Sequence, residues 1–289
     1  MSLPRIALAI GALLLAAAAH AAPNVVVEAV QYPAWLERAG RAVPLTPGTE
    51  LTGRDRVLTG ANARVQLRLA EGSTVKLGEN ARFAIEKAES RGVFTAAMSV
   101  LAGAFRFTTD PREKSGRRDV AIRVRNVSAG VRGTDLWGKS TEERDLVCLI
   151  EGRITVGAEG HPTLTLDQPL DFYQKPRGKD PELAKVDPKQ LAEWAKETEP
   201  AADGPVGRVG GRWRVVAATF PGRDAALALN RTLRENGYPS EVLGKDAGPY
   251  IVHVSGLAGE VEARALMANL RGVKGVSVPS VHPIPGAAP

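Results

Sequence analysis

The chain has 289 residues, 44% hydrophobic and 24% charged, an ordinary globular composition that suffices for one large or two modest domains. Lys and Arg total 38 against 32 Asp and Glu, a formal +6 with a pI near 9.6; this fits either an anionic partner or a solvated surface with a small excess of Arg. The lone cysteine, Cys148, excludes an internal disulfide, and its place inside an apolar run suits a small buried hydrophobe rather than a nucleophile.

Met1 to Arg5 is short and carries one positive charge, and 6–19 is a continuous apolar run too short to span a bilayer comfortably. Ala19-His20-Ala21 fits a small-x-small cleavage site with Ala22 as the new N-terminus, so 1–21 is expected to be a signal peptide and the mature protein periplasmic. No cysteine follows the run, which argues against a lipoprotein anchor, and no later segment reaches transmembrane length. Export argues against nucleic acid as the partner.

From Val25 onward, short strands recur every eight to twelve residues between turn signals at Pro47-Gly48, Thr59-Gly60-Ala61-Asn62, Glu71-Gly72-Ser73 and Gly78-Glu79-Asn80. That rhythm predicts an all-β domain over 22–166. In 63–69, Ala63, Val65, Leu67 and Leu69 take one face and Arg64, Gln66 and Arg68 the other. Further on, Leu146 to Ile150 reads as a strand buried on both faces. Gly133 is placed to supply a backbone geometry that a Cβ forbids, and the Thr134 hydroxyl to satisfy a nearby backbone group. The segments TGANARVQLRLAEGSTVKLGENARFAI, MSVLAGAFRFTT, GVRGTDLWG and LVCLIEGRITV together resemble the FecR domain, a β-rich module of bacterial envelope proteins, over most of 46–156. The resemblance implies structural chemistry and a second envelope partner or ligand. FecR-type regulators proper also carry a cytoplasmic anti-sigma segment and a membrane span. This sequence shows neither, so transmembrane iron signalling is not implied. Arg112, Lys114, Arg117, Arg118, Arg123 and Arg125 form either an anion-binding edge or, the reading preferred here, a charged hairpin tip with outward strand positions.

Prolines punctuate 167–207, which has the composition of a connector. One helix is expected within it, 187–199, capped by Asp187 with Pro188 in its first turn and Leu191, Trp194, Ala195 and Thr198 on one face. Trp194 is expected to dock on the β domain as a clasp.

Residues 208–281 read as a second domain of the order β-α-β-β-α-β. It has strands at 212–218, 241–243, 250–255 and 276–278 and helices at 224–236 and 259–270. The helix faces are expected to be Ala225, Leu229, Leu233 and Asn236 on the first, and Val261, Ala265 and Leu266 on the second. The tail 282–289 is Pro-rich and expected to be disordered. The predicted class is therefore multidomain, an all-β FecR-like domain followed by an α+β, ferredoxin-like one. The segments WRVVAATF, AALALNRTLRENGYPSEV and YIVHVSGLAGEVEARALMANLRG make this second domain similar to the SPOR domain, which binds peptidoglycan glycan strands stripped of stem peptides. SPOR domains usually carry a polar residue, often Gln, at the fourth position of the first strand, where this chain has Val216. The resemblance implies a glycan-binding sheet face made by Arg214, Val216, Ala218, Ile251, His253 and Ser255. The alternative is a degenerate SPOR domain that docks another envelope protein. No catalytic constellation, cofactor loop or metal-ligand spacing occurs, so a non-enzymatic protein without cofactor or metal is expected.

Overall fold

The computed structural model describes residues 24–110, 118–131, 133–244 and 248–285. The expected signal peptide, Arg112, Lys114, Arg117 and the last four residues of the chain lie outside the described residues.

The N-terminal two thirds form two sheets packed face to face. Across the first, the strands run Glu182–Lys185, Asp171–Pro176, Arg144–Glu151, Asp135–Ser140, 103–108, Thr74–Leu77, Arg64–Leu69 and Val25–Gln31. Across the second they run Arg41–Pro44, Ala34–Arg38, Arg56–Thr59, Arg82–Arg91, 93–102, Arg118–Val124, Val127–Val131, Ile154–Ala158 and Leu164–Leu166. The strand Val93–Thr108 belongs to both and crosses from one sheet to the other at Gly103. There φ is +82°, and an added Cβ would lie 2.5 Å from the Ala81 Cα, so neither the turn nor the close approach tolerates a side chain.

Period-two alternation sends Val65, Leu67, Leu69, Val75, Leu77, Phe105, Phe107, Val147 and Leu149 into one shared core between the sheets. The Gly133 turn forms as expected, with φ +66°. Thr134 Oγ1 donates to the Arg153 carbonyl at 3.1 Å, and the Thr134 amide donates to Thr109 Oγ1 at 3.2 Å.

Leu146 to Leu149 are buried on both faces, and the second cover is the connector. Residues 167–185 are not a linker: Asp171–Pro176 and Glu182–Lys185 form a hairpin that extends the first sheet, with the prolines at strand ends where a missing N–H costs nothing. Helix α1 (Pro188–Lys196) then lies on the outer face of that sheet. Asp187 caps it, accepting from the amides of Lys189 and Gln190. Trp194 stacks on Trp137 with centroids 5.0 Å apart and meets Phe172 edge-on at 6.2 Å. The predicted clasp is there, and Leu191 and Thr198 are buried with it.

The chain next forms Val206–Arg208, a bridge strand. It pairs with Val25–Gln31 through Ala29/Arg208 to Gln31/Val206, and with the following module through Gly207/Leu257. Backbone hydrogen bonding thus runs without a break from the two-sheet domain into the C-terminal module.

That module has the element order β-α-β-β-α-β: Trp213–Phe220, α2 (Arg223–Glu235), Ser240–Leu243, Tyr250–Leu257, α3 (Glu260–Leu270) and Ser280–Pro283. Its strands lie in the spatial order Ser240–Leu243, Tyr250–Leu257, Trp213–Phe220, Ser280–Pro283, all antiparallel. Three expectations are corrected. Leu229 and Leu233 of α2 and Leu266 of α3 are buried as expected, but Ala226 rather than Ala225 completes the stripe of α2, and Ala263 and Leu270 complete that of α3, leaving Val261 57% exposed. The last strand is 280–283 rather than 276–278, because Val281 is the residue that aligns with Val215 while Val278 stays 82% exposed in the return from α3. His282 and Pro283 therefore belong to a strand, not to a tail.

Candidate functional site

Both helices of the C-terminal module pack on one face of its sheet. The other face is set by cross-strand register, since directly opposed residues share a side. One row reads Glu241, His253, Val216, Ser280. Arg214, opposed to His282, lies two residues before Val216 on the same side. Leu243, Ile251 and Thr219 make a parallel row.

Five of the six predicted site residues are thus brought together: Arg214, Val216, Ile251, His253 and Ser255. Ala218 is not among them. The register shifts between Val216 and Ala218, and this bulge turns both Ala217 and Ala218 towards the helices, with Ala218 opposite the buried Val252. The side chain it frees on the open face is that of Thr219, which is exposed. Sequence alternation could not locate a bulge in WRVVAATF, because Val and Ala suit either face. Glu241 and Ser280 were also missed, although the alternation of 241–243 does place Glu241 outward.

His253 is the centre of this face and is only 4% exposed. Its Nδ1 lies 3.1 Å from the Ser255 hydroxyl, while Nε2 has no partner. Arg214 Nε, nearby, is likewise buried without one. Burial pushes the imidazole below its ordinary value; the Glu241 charge opposes this and the Arg214 charge adds to it. The ring is therefore neutral at pH 7, with one nitrogen still able to accept or donate.

The outer face of the second sheet offers a different surface. A trough of about 540 Å³ runs over Ser128, Gly130, Thr155 and Gly157, with Arg123 and Arg125 at its rim. The Arg123 guanidinium meets Glu86 at 2.5 Å and also bonds Ser99, so half of this arginine pair is already neutralised. Arg123 is thus an outward strand position, whereas Arg125 stands in the turn that follows the strand, at φ +48°.

Cys148 is fully buried, and burial pushes its thiol up to about 12, leaving almost no thiolate at neutral pH. Among the described residues, no three His, Cys, Asp or Glu side chains come close enough to share a metal ion, and no helix is long and apolar enough to cross a membrane.

The geometry defines a class first: a mostly β-sheet protein, two packed sheets with an appended module that exposes one polar sheet face. Residues 55–155 match the model of the FecR protein family, so this stretch of the chain is a FecR domain. Two crystal structures of a protein from Parabacteroides distasonis described as an anti-sigma factor, at 1.65 and 2.50 Å, are similar in part. They share 14% and 13% identity over 74% and 75% of this chain and 91% and 89% of theirs, each with a TM-score of 0.41. No curated protein matches the chain.

Proposed function

We propose that this protein is an exported, non-enzymatic component of the cell envelope. In this reading its C-terminal module is a ferredoxin-like, SPOR-type domain that binds peptidoglycan glycan strands, and its FecR domain engages a second envelope partner. The observation that carries it is the face opposite the helices, where Arg214, His253 and Ser255 converge beside Val216 and Ile251. Sugar recognition needs polar groups of this kind set against apolar surface, and Arg214 and Ser255 are partly exposed here beside the partly exposed Val216 and Ile251. The apolar N-terminal run supports export.

The test is co-sedimentation of the mature chain with peptidoglycan before and after an amidase removes the stem peptides. Retention should rise on the denuded glycan and fall in Arg214→Ala and His253→Asn. Absence of binding to both preparations refutes the glycan reading and leaves the same face as a protein-docking surface.

A further inference from the structure

The open sheet face does not end in solvent on its Ser255 side. It runs into a cleft of about 320 Å³ between the C-terminal module and the two-sheet domain, at the small end of the range for ligand clefts, about 300–1,000 Å³. Glu241 and Ser255 of the C-terminal module line it, as do Thr46 and Pro47 from the two-sheet domain, with Arg208 and Val209 of the bridge strand and the turn after it. Glu241 is the cross-strand partner of His253, and Ser255 holds the His253 ring, so this part of the lining is continuous with the site described above.

The two domains that line it are fixed relative to each other by backbone hydrogen bonds. The bridge strand Val206–Arg208 pairs on one side with Val25–Gln31. On the other side it meets Leu257, and the Ala258 amide donates to the Val206 carbonyl at 3.0 Å. The Tyr32 amide donates to the Pro205 carbonyl at 3.3 Å, and the Trp35 indole N–H to the Glu235 carbonyl at 3.2 Å. A cleft held this way needs no ordering when a ligand enters, which favours binding.

We propose that the cleft is a subsite of the glycan site that takes one further sugar unit, so that the two domains together hold a single glycan strand. The inference rests on the glycan reading given above. Its chemistry suits a sugar. The exposed Arg208 guanidinium donates to ring or substituent oxygens, the Glu241 carboxylate accepts from hydroxyls, and the Ser255 hydroxyl does either. Val209, 68% exposed at the cleft, and Pro47 supply the apolar patch that a sugar ring covers. An isolated C-terminal module would lack the Thr46 and Pro47 lining altogether.

Two substitutions in the full mature chain test this, read by co-sedimentation with amidase-treated peptidoglycan and by thermal melting. Thr46→Trp fills the cleft from the two-sheet domain, at an exposed position remote in sequence from the C-terminal module. It should weaken binding about tenfold without lowering Tm, and Arg208→Ala should weaken it about three- to tenfold, the scale of one or two hydrogen bonds. If Arg214→Ala weakens binding while both cleft variants bind like the native chain, the subsite is wrong and the glycan reading stands. If the native chain itself does not bind, both are wrong.

Discussion

Two sheet faces joined by one continuous backbone network have opposite fates in this molecule. The outer face of the first sheet is covered, whereas the open face of the C-terminal sheet is bare of any helix or strand among the described residues, although His253 at its centre is only 4% exposed. On the covered face the outward positions are Ala104, Trp137, Leu146 and Cys148, all buried, ringed by Lys76, Arg106 and Lys139. The covering segment answers both features. Trp194 stacks on Trp137. Glu199 meets Lys76 at 2.5 Å and Arg106 at 3.3 Å, and Glu197 meets Lys139 at 2.7 Å. On the bare face the outward positions are Arg214, Val216, Thr219, His253 and Ser255, and among the described residues no segment supplies a matching stripe. A chain covers the face whose apolar area is worth covering and leaves open the face whose polar groups would cost more to bury than the area returns.

The largest break in this comparison is Trp194→Ala. It removes the stack on Trp137 and opens a cavity over a Trp that is itself fully buried, with an indole N–H that has no partner. The expected cost is about 3 kcal/mol, at the low end for a large aromatic because Trp194 is only partly buried. Denaturant titration checks it, and an unchanged midpoint would show that the strap does not hold the sheet. Glu199→Gln is the milder form of the same test. Its two cationic partners sit at a half-exposed site, so the loss should be about 1 kcal/mol and should shrink in high salt.

The bare face has its own signature in pH. His253 titrates below its ordinary value of 6.5 because the folded protein disfavours the imidazolium. The unfolded chain therefore binds the proton more readily, and the stability this group contributes is fully present above about pH 6.5 and lost as pH falls through the folded value. Glu241, facing it from the next strand, moderates the effect, and Arg214 from the other side strengthens it. Melting between pH 7.5 and 5 should show this loss in the native chain and not in His253→Asn. Equal slopes in the two proteins would mean that His253 is not held neutral.

How legible these faces were in the sequence follows the same division. The covered face was half visible. LVCLIEG announced a strand buried on both sides, and Asp187-Pro188 with Trp194 announced the clasp. What hid the rest was proline: 171–185 reads as linker, although its prolines stand at strand ends. The parallel pairing of Arg118–Val124 with 94–100 was also invisible, because register between strands joined by a crossover leaves no local mark. For the bare face, alternation found five of the six residues, and a single bulge moved Ala218 inward. The cleft beside it could not be read at all, since its lining includes Thr46 and Ser255, brought together only by the bridge strand.

The smallest expected change in stability is also the most informative about the bare face. Val216 stands in the row of Glu241, His253 and Ser280 as its one apolar member, partly exposed. Val216→Gln places an amide with two donors and an acceptor between His253 and Ser280. It leaves the helix-side core untouched, so the stability should change by no more than an ordinary surface substitution does, about 0.5 kcal/mol. If the face reads sugar hydroxyls, the added amide should strengthen retention on denuded glycan about two- to tenfold, the worth of one more net hydrogen bond. If the face instead presses an apolar partner surface against Val216 and Ile251, the same change buries an amide without a partner and weakens that association by a similar factor. The sign of the change therefore distinguishes a face that binds glycan from one that docks protein, at a position where the fold itself barely responds.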